Sequence, residues 1–414
     1  MDNIKCTCAH YPPQSPQTRS LFLAWVSILY MDVLFQLEEE PRTHGRDSRT
    51  ANFRTQPQSR SEIVMNKEVK ILFLYTELAT YLLSCIEELA QRKVSVHLVR
   101  YPVNDEAPFQ FKLPKGVHLH ERNGLIGGLI GFSNDLKPDA ILCSGWVDKE
   151  YLAVCKSWRG RIPTVLLLDN QWTGSTKQKV ASLAAHWLIL PKFSHAWVPG
   201  KPQEEYALKL GFKKDKIRNG FYCADLKGFN TAFELGFPAK KNKFPHRLIY
   251  MGRYLPFKGI DMLWNAFTEL RAEGFDQWEL HCLGTGDMWE QRNQSEGIFH
   301  YGFVQPNDML PHLKSSGIFV LPSLKEPWGV VVQEMAAAGF PMILSDKVGA
   351  ATAFLQENKN GFIFESGNQE SLKIALKKMM SLDDEKLIEM GENSHQIAQS
   401  INPELWADTL LELL

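Results

Sequence analysis

Apolar and polar positions alternate between two periods along most of the chain, which indicates strands and helices in turn. Residues 69–75 form a nearly continuous apolar run, as expected of a strand buried on both faces of a sheet. Apolar residues between 78 and 89 then recur at helical spacing, and residues 94–98 alternate as a strand. Further strands are predicted at 140–144, 164–168 and 196–198. This order predicts a doubly wound α/β domain with a parallel sheet.

A second series of the same kind follows a polar and basic segment. Residues 237–243 precede Pro245 and are predicted to link two domains. Strands are then predicted at 247–251, 279–283, 318–321, 342–344 and 362–364. The 414-residue chain is long enough for two such domains. The predicted organisation is a first Rossmann-like domain over 65–240, a second over 241–395 and a final helix over 396–414.

Residues 1–64 differ from the rest of the chain. Prolines near the start and a polar stretch over 43–61 predict a mostly disordered extension. An apolar run over 21–35 is shorter than the roughly 20 residues that span a bilayer. A helix lying on a membrane surface at 21–35 is the alternative that the sequence leaves open, and Met65 begins the regular pattern.

Charge and cysteine content narrow the functional class. The formal net charge of −1 gives no electrostatic reason to expect nucleic acid as a partner. The seven cysteines lack Cys-x-x-Cys spacing, so neither a disulfide framework nor a zinc site is predicted, and a cytoplasmic location is favoured. The chain contains no Asp-x-Asp pair of the kind that holds Mg²⁺ or Mn²⁺. We therefore expect no metal ion and no cofactor.

The stretch around Glu326 and Glu334 is the most informative in the chain. Glu326 lies in a loop after the apolar run at 318–321, and residues 329–331 (Gly329, Val330 and Val331) lead into the helix that contains Glu334. A helix N-terminus suits a phosphate, whereas carboxylates accept hydrogen bonds from hydroxyl groups. This pattern predicts a ligand that carries both phosphate and hydroxyls, such as a nucleotide sugar.

Arg253 and Lys258 follow the first strand of the second domain, close after Gly252. Ligands of parallel sheets lie at the carboxyl ends of the strands, and an Arg with a Lys can neutralise a diphosphate there. Solvated surface charges are the alternative; the neighbouring glycines and the Glu326/Glu334 pair favour phosphate binding.

Two further strand ends carry candidate binding positions. Gly284 and Gly286 end one strand, where glycine lets the backbone approach a ligand closely or simply makes a tight turn. Val304 follows the next strand and is predicted to offer backbone groups to a nucleotide base. In the first domain, Asp169 and Asn170 follow a buried strand. An acceptor site and a capped turn into the next helix are equally weighted interpretations of that position.

Taken in order, the motifs of the second domain resemble those of glycosyltransferase family 4, whose members are retaining enzymes of the GT-B fold. The resemblance covers about 66–414 and is closest in the second domain. The motifs that carry it are Gly252-Arg253, Lys258-Gly259, Gly284-Thr285-Gly286, Pro322-Ser323, Glu326 with Glu334, and Asn360-Gly361.

The resemblance implies two Rossmann-like domains facing across a cleft, with a role for each matching position. Arg253 and Lys258 would hold the diphosphate, and Glu326 would contact hydroxyls of the donor sugar. The amides around 329–331 would meet the phosphate or the sugar, and Glu334 would bind the ribose. The final helix would cross back onto the first domain.

Three places depart from the family pattern. A Gly-Gly loop common in the family is replaced by residues 75–78, and its Gly-Gly-x-x-Glu motif by residues 349–353. Asp169 stands where many members have a histidine. Whether Asp169 or Asn170 takes over that acceptor-side contact is left open.

The function expected from this resemblance is retaining, metal-independent transfer of a sugar from a nucleoside diphosphate sugar to a hydroxyl. The acceptor is a glycan, a lipid-linked saccharide or a small molecule, and peripheral contact with the inner face of a membrane is left open. Two alternatives remain: an epimerase or inverting transferase of the same fold, and a nucleotide-sugar-binding protein without activity. The sequence names neither the donor sugar, the base, the acceptor nor the oligomeric state.

Overall fold

The structure, a computed structural model, describes residues 68–76, 81–101, 113–125, 127–305 and 308–414. The predictions made for residues 1–64 lie outside these ranges. All structural statements below concern the described residues.

The described part of the first domain contains a sheet of seven strands and the helices that connect them. The strands are β1 (Lys70–Leu74), β2 (Ser95–Arg100), β3 (Val117–Glu121), β4 (Ala140–Ser144), β5 (Thr164–Leu167), β6 (His195–Trp197) and β7 (Ile217–Arg218). The helices are α1 (Tyr81–Gln91), α2 (Gly128–Leu136), α3 (Lys149–Trp158), α4 (Thr176–Leu188) and α5 (Lys201–Lys209). Every strand pair is parallel, and the order is β3-β2-β1-β4-β5-β6-β7.

Apolar strands and well-capped helices explain why these residues form these elements. Residues 71–74 and 140–143 are buried on both faces of the sheet, as their continuous apolar runs predict. The carboxylate of Asp148 accepts hydrogen bonds from the backbone N–H groups of Glu150 and Tyr151, at 2.8 and 2.9 Å, and so caps α3. One apolar cluster covers each face of the sheet.

The second domain repeats this plan with six strands in its described part. The strands are β8 (Arg247–Met251), β9 (Glu279–Leu283), β10 (Ile298–His300), β11 (Ile318–Leu321), β12 (Met342–Ser345) and β13 (Gly361–Phe364). The helices are α6 (Leu226–Asn242), α7 (Ile260–Ala272), α8 (Leu310–Ser315), α9 (Val331–Ala337), α10 (Ala351–Phe354), α11 (Gln369–Met380) and α12 (Asp384–Ala398). The parallel order β10-β9-β8-β11-β12-β13 matches that of the first sheet. The prediction of two doubly wound α/β domains is confirmed.

The linker predicted at 237–243 is wrong. Residues up to Asn242 form the last turns of α6, with Pro238 inside the helix, so a boundary between 240 and 241 falls within a helix. Phe237 is buried, and the ammonium group of Lys240 lies 3.7 Å from the ring centre of Phe340. The polar and basic segment therefore carries a buried face that packs on the second domain.

The last helix, α13 (Pro403–Leu411), packs against the first domain. The ring of Trp406 lies 4.7 Å from that of Trp197 and 6.4 Å from that of Phe73. Its indole N–H donates to the carbonyl of Phe221 at 2.7 Å. Burial of this aromatic group attaches the C-terminal end of the chain to the first sheet.

A buried glutamine joins the two places where the chain passes between the domains. The side-chain oxygen of Gln333 in α9 accepts from the backbone N–H of Ala224 at 2.8 Å. Its amide nitrogen donates to the carbonyls of Ala398, at 3.0 Å, and Ile401, at 2.6 Å. Because all three partners are backbone groups, this one side chain fixes both passages relative to α9.

Across the described ranges, no helix is both long enough and apolar enough to cross a bilayer.

Candidate functional site

The loops that follow β8 and β9 lie against each other at the carboxyl edge of the second sheet. The backbone N–H of Gly252 donates to the carbonyl of Leu283 at 3.0 Å, and that of Tyr254 donates to Thr285 at 2.8 Å. These bonds continue the parallel ladder beyond the strands. They place residues 252–254 and 284–286 in one layer of backbone.

Gly284 and Gly286 are required by this contact. Gly284 has φ of +136°, and a Cβ there would lie 2.0 Å from the carbonyl oxygen of Gly252. A Cβ on Gly286 would lie 2.6 Å from the carbonyl oxygen of Tyr254. Loop packing thus accounts for both glycines without a ligand. Their contact with a nucleotide remains a prediction.

Lys258 and Glu326 form an ion pair at the same edge of the sheet. The two side chains are only 16% and 13% exposed, and the hydroxyl of Ser323 donates to the same carboxylate at 3.2 Å. Gly259 makes this approach possible: it has φ of +64°, and a Cβ there would lie 2.3 Å from the carbonyl oxygen of Pro322. Two side chains that the sequence assigned to different parts of a ligand therefore contact each other directly.

Arg253 and Val304 occupy the rim of this region. The side chain of Arg253 is exposed to solvent, while its carbonyl accepts a hydrogen bond from the hydroxyl of Tyr250 at 2.9 Å. Val304 is half-buried against the core of the second domain. Both lie at strand ends as the sequence indicated, and their ligand contacts remain predictions.

The loop between Glu326 and α9 is held in a conformation that suits glycine. Gly329 has φ of +90°, and a Cβ there would lie 3.0 Å from Cγ of Glu326. The segment containing Val330 and Val331 then enters α9. The backbone of residues 329–331 is therefore immediately beside the Glu326 side chain.

Glu334 is a partly buried carboxyl group one turn into α9. Burial, and to a lesser degree the negative charge of Asp225, together raise its pKa to about 7. Asp225 precedes α6 in the passage between the domains. Glu334 thus changes charge near neutral pH, which the sequence pattern alone did not indicate.

Asp169 lies at the carboxyl edge of the first sheet, just after β5. Its carboxylate accepts hydrogen bonds from the hydroxyl of Tyr222, at 3.2 Å, and from the side-chain amide of Asn170, at 3.1 Å. The carboxylate of Asp169 is therefore hydrogen-bonded both to its neighbour Asn170 and to Tyr222.

Gln203 connects Asp169 to the second domain. Its amide nitrogen donates to the carbonyl of Asp169 at 3.2 Å and also to the carbonyl of Pro327. The side chain is fully buried, and its oxygen has no hydrogen-bond partner among the described residues. Since Pro327 follows Glu326, one amide group joins the loop after β5 to the loop that contains Glu326.

Trp328 makes a second contact between the domains. A Cβ on Gly200 would lie 2.7 Å from its indole ring, so only glycine allows the ring to pack there. Sequence reasoning missed Trp328, Gln203 and Gln333. Each glutamine has at least one partner more than 60 residues away, and a glutamine on a helix ordinarily faces solvent.

No group of three or more His, Cys, Asp or Glu side chains in the described ranges is arranged to hold a metal ion. The chemistry that the described side chains offer consists of two cations, Lys258 and Arg253, and carboxylates at Glu326, Glu334 and Asp169. This set can bind an anion beside several hydroxyl groups.

Part of the chain is similar to a described family of proteins. Residues 233–397 match the family model for glycosyl transferases group 1. A phosphatidyl-myo-inositol mannosyltransferase of Mycobacterium leprae is 28% identical over 181 residues, which are 42% of this chain and 46% of that protein. A D-inositol 3-phosphate glycosyltransferase of Corynebacterium glutamicum is 26% identical over 192 residues, which are 44% of each chain. The chain thus spans less than half the length of these relatives.

Solved structures share the fold over a greater length. HepE of Anabaena in complex with UDP and glucose has a TM-score of 0.60 and 16% identity, covering 83% of this chain and 99% of that one. A glycosyltransferase of Rickettsia africae has a TM-score of 0.64 and 14% identity, covering 83% and 97%. The described chain therefore has the GT-B fold of solved glycosyltransferases, and its second domain matches the glycosyl transferases group 1 model.

Proposed function

We propose that this protein is a metal-independent, retaining glycosyltransferase that moves a sugar from a nucleoside diphosphate sugar to a hydroxyl group. The observation that carries this proposal is the Lys258–Glu326 ion pair at the carboxyl edge of the second sheet. The match of residues 233–397 to a glycosyltransferase model supports the reaction class. The UDP and glucose held by HepE, a protein of the same fold, support the class of donor.

The ion pair suggests how a donor would be recognised. A diphosphate placed beside Lys258 would compete with Glu326 for the ammonium group, because both are anions. The released carboxylate would then accept hydrogen bonds from sugar hydroxyls. Donor binding would thus replace the Lys258–Glu326 ion pair with two contacts to the ligand. Lys258 would pair with the diphosphate, and Glu326 would be hydrogen-bonded by sugar hydroxyls.

In the proposed reaction, the acceptor oxygen forms a bond to the anomeric carbon while the bond from that carbon to the phosphate oxygen breaks. The acceptor proton passes to the leaving phosphate oxygen, and the products are the glycoside and a nucleoside diphosphate. Lys258 and the exposed guanidinium of Arg253 would balance the charge that develops on the leaving group. Stabilising groups of this kind contribute on the order of 10²–10³ each in rate.

Front-face attack is the proposed route to retention. A double displacement requires a nucleophilic carboxylate about 5 Å from a second carboxyl group. In this proposal Glu326 accepts from Ser323 and from sugar hydroxyls, and Glu334, which sits within α9, binds the ribose. These commitments favour a single carboxylate near the sugar over an acid and nucleophile pair.

The acceptor side of the proposal centres on Asp169. Its carboxylate is exposed and faces the passage that contains Tyr222, and Gln203 ties its backbone to Pro327. An acceptor hydroxyl bound by Asp169 would therefore lie close to the loop that contains Glu326.

A panel of nucleoside diphosphate sugars, tested on the full chain, separates this proposal from its rivals. The expected result is a rise in the melting temperature with one donor, followed by transfer to an acceptor with the donor's anomeric configuration. Stabilisation without transfer or donor hydrolysis would favour a binding protein, and an inverted or epimerised product would overturn retaining transfer. Stabilisation by none of the donors would overturn the donor site itself.

A further inference from the structure

The helix α4 (Thr176–Leu188) carries its large apolar side chains on the outside of the protein. Leu183 is 78% exposed and Trp187 is 62% exposed, and Leu188 at the end of the helix is 48% exposed. The inner face is formed by two buried alanines, Ala181 and Ala185. This distribution is the reverse of that expected for a helix that faces only water.

Leu183 and Trp187 lie on one face of the helix because residues four apart are neighbours on an α-helix. Val180, three residues before Leu183, extends the same face and is half-buried. The three side chains form a continuous apolar stripe along the outer surface of α4. A contiguous exposed apolar surface of this kind is typical of a site that contacts another protein or a membrane.

The charged residues that flank this stripe in the sequence are all positive. No Asp or Glu occurs from residue 170 to residue 203, whereas Lys177, Lys179 and Lys192 do. Lys177 and Lys179 are exposed in the first turn of α4. Lys192 lies just beyond the last turn, where burial and then the charge of Lys156 lower its pKa. The apolar stripe therefore has cationic groups at both ends.

We propose that the outward face of α4 is a docking surface for an anionic lipid bilayer. A helix with tryptophan and leucine on one face and lysines beside it lies in the plane of a bilayer interface, with its apolar face among the acyl chains. Lysines near the surface add attraction to anionic headgroups. An acidic protein partner would match the lysines as well, and wild-type protein that does not bind anionic vesicles is the result that would favour it.

The position of α4 relates the proposed bilayer contact to the loop that contains Asp169. The helix begins directly after the loop that contains Asp169, with Ser175 as its N-cap. A bilayer bound along α4 would therefore bring an amphiphilic acceptor to the carboxyl edge of the first sheet. This consequence rests on the proposed function, whereas binding to the bilayer does not.

Vesicle flotation with the full chain tests the proposal. Vesicles of phosphatidylcholine with phosphatidylglycerol are expected to bind the wild-type protein, and those of phosphatidylcholine alone to bind it less. Leu183→Ser with Trp187→Ser should lower the partition coefficient about tenfold or more, because both side chains lose their burial in the bilayer. Ile374→Ser, which changes a side chain of 59% exposure on α11, is the matched control and should bind as the wild type does.

Two further sets of measurements distinguish loss of bilayer binding from other effects of the substitutions. Lys177→Gln with Lys179→Gln should weaken binding to the anionic vesicles, and added salt should do the same. Circular dichroism and the stabilisation by donor sugars should be unchanged in every variant, so a failure here does not touch the donor site. The proposal would be overturned if the wild-type protein did not bind anionic vesicles. It would also be overturned if the Leu183/Trp187 double variant bound them as well as the wild type does. A double variant that loses only self-association in sedimentation would overturn it too, since a second copy would then be the occupant.

Discussion

The ammonium group of Lys258 is paired with the carboxylate of Glu326. The two residues are separated by 68 positions in sequence, yet both follow parallel strands of one sheet. Their mutual neutralisation explains how a lysine and a glutamate can both be kept nearly buried at the site where we propose that a charged donor binds.

A double-mutant cycle on Lys258→Met and Glu326→Gln measures this relationship. Each single variant should lower the free energy of unfolding, because it leaves the partner charge unpaired. The double variant should recover part of that loss, with a coupling of about 0.5–3 kcal/mol. Denaturant titration gives the three values, and strictly additive losses would show that the pair does not interact in solution.

The raised pKa of Glu334 predicts a pH dependence of stability. Burial, with the charge of Asp225, raises the pKa to about 7 in the folded state, whereas the usual value is 4.5. The folded state thus retains the proton to higher pH than the unfolded chain does. The associated stability is fully present below pH 4.5 and is lost as the pH rises to about 7.

The measurement compares wild type with Glu334→Gln, a variant that cannot ionise. The stability of the wild type relative to this variant should decrease between pH 4.5 and 7 and then level off. Glu385→Gln, at an exposed position near the start of α12, is the control and should show no such trend. A constant difference for Glu334→Gln across the range would contradict the assigned burial.

Gln203 is expected to affect transfer more than donor binding, since it joins the Asp169 loop to Pro327 across the domains. Gln203→Met keeps the side-chain length but loses both donors, and we expect the transfer rate to fall about tenfold, equivalent to one or two hydrogen bonds. Gln203→Glu should be worse, because an ionised carboxylate would face two carbonyl oxygens. Rates and donor affinities, determined in parallel, check this; an equal effect on both would indicate a purely structural role.

Most helices and strands could be predicted from the sequence, because the local pattern of apolar and polar residues is enough to identify them. Apolar runs such as 140–143 are buried strands, and the residues assigned to the donor site do lie at strand ends in the second domain. The segment 237–243 misled because its proline and lysines are typical of linkers. Its helical character depends on burial of Phe237 against other elements, which a local pattern does not reveal.

Contacts between distant residues account for the other differences. The sequence predicts that Gly284 allows a close approach of a ligand or makes a tight turn; the structure adds a close approach of the Gly252 carbonyl, and the ligand contact stays a prediction. The local sequence does not mark Gln203 or Gln333 as structurally important. Their hydrogen-bond partners are backbone groups of the other domain or of a distant segment between the domains. Such pairings follow from the tertiary arrangement alone.

Gly284→Ala tests the packing explanation for the strand-end glycines. A methyl group there would collide with the carbonyl oxygen of Gly252, and φ of +136° is unfavourable for alanine. We expect a loss of about 1–3 kcal/mol in the free energy of unfolding. Gly131→Ala in α2 is the matched control: nothing lies within 4 Å of its Cβ, and it should be neutral or stabilising by up to about 1 kcal/mol. Equal stabilities for the two variants in denaturant titration would contradict the steric argument.

The most direct test of the account is sugar transfer followed by NMR for the wild type, Lys258→Ala and Glu326→Ala, using the donor that stabilises the full chain. The account predicts that the wild type forms a glycoside with the donor's anomeric configuration. It predicts that both variants remain folded and lose at least about 10²-fold in rate. Wild-type turnover in either folded variant would contradict the assignment of this ion pair to the donor site.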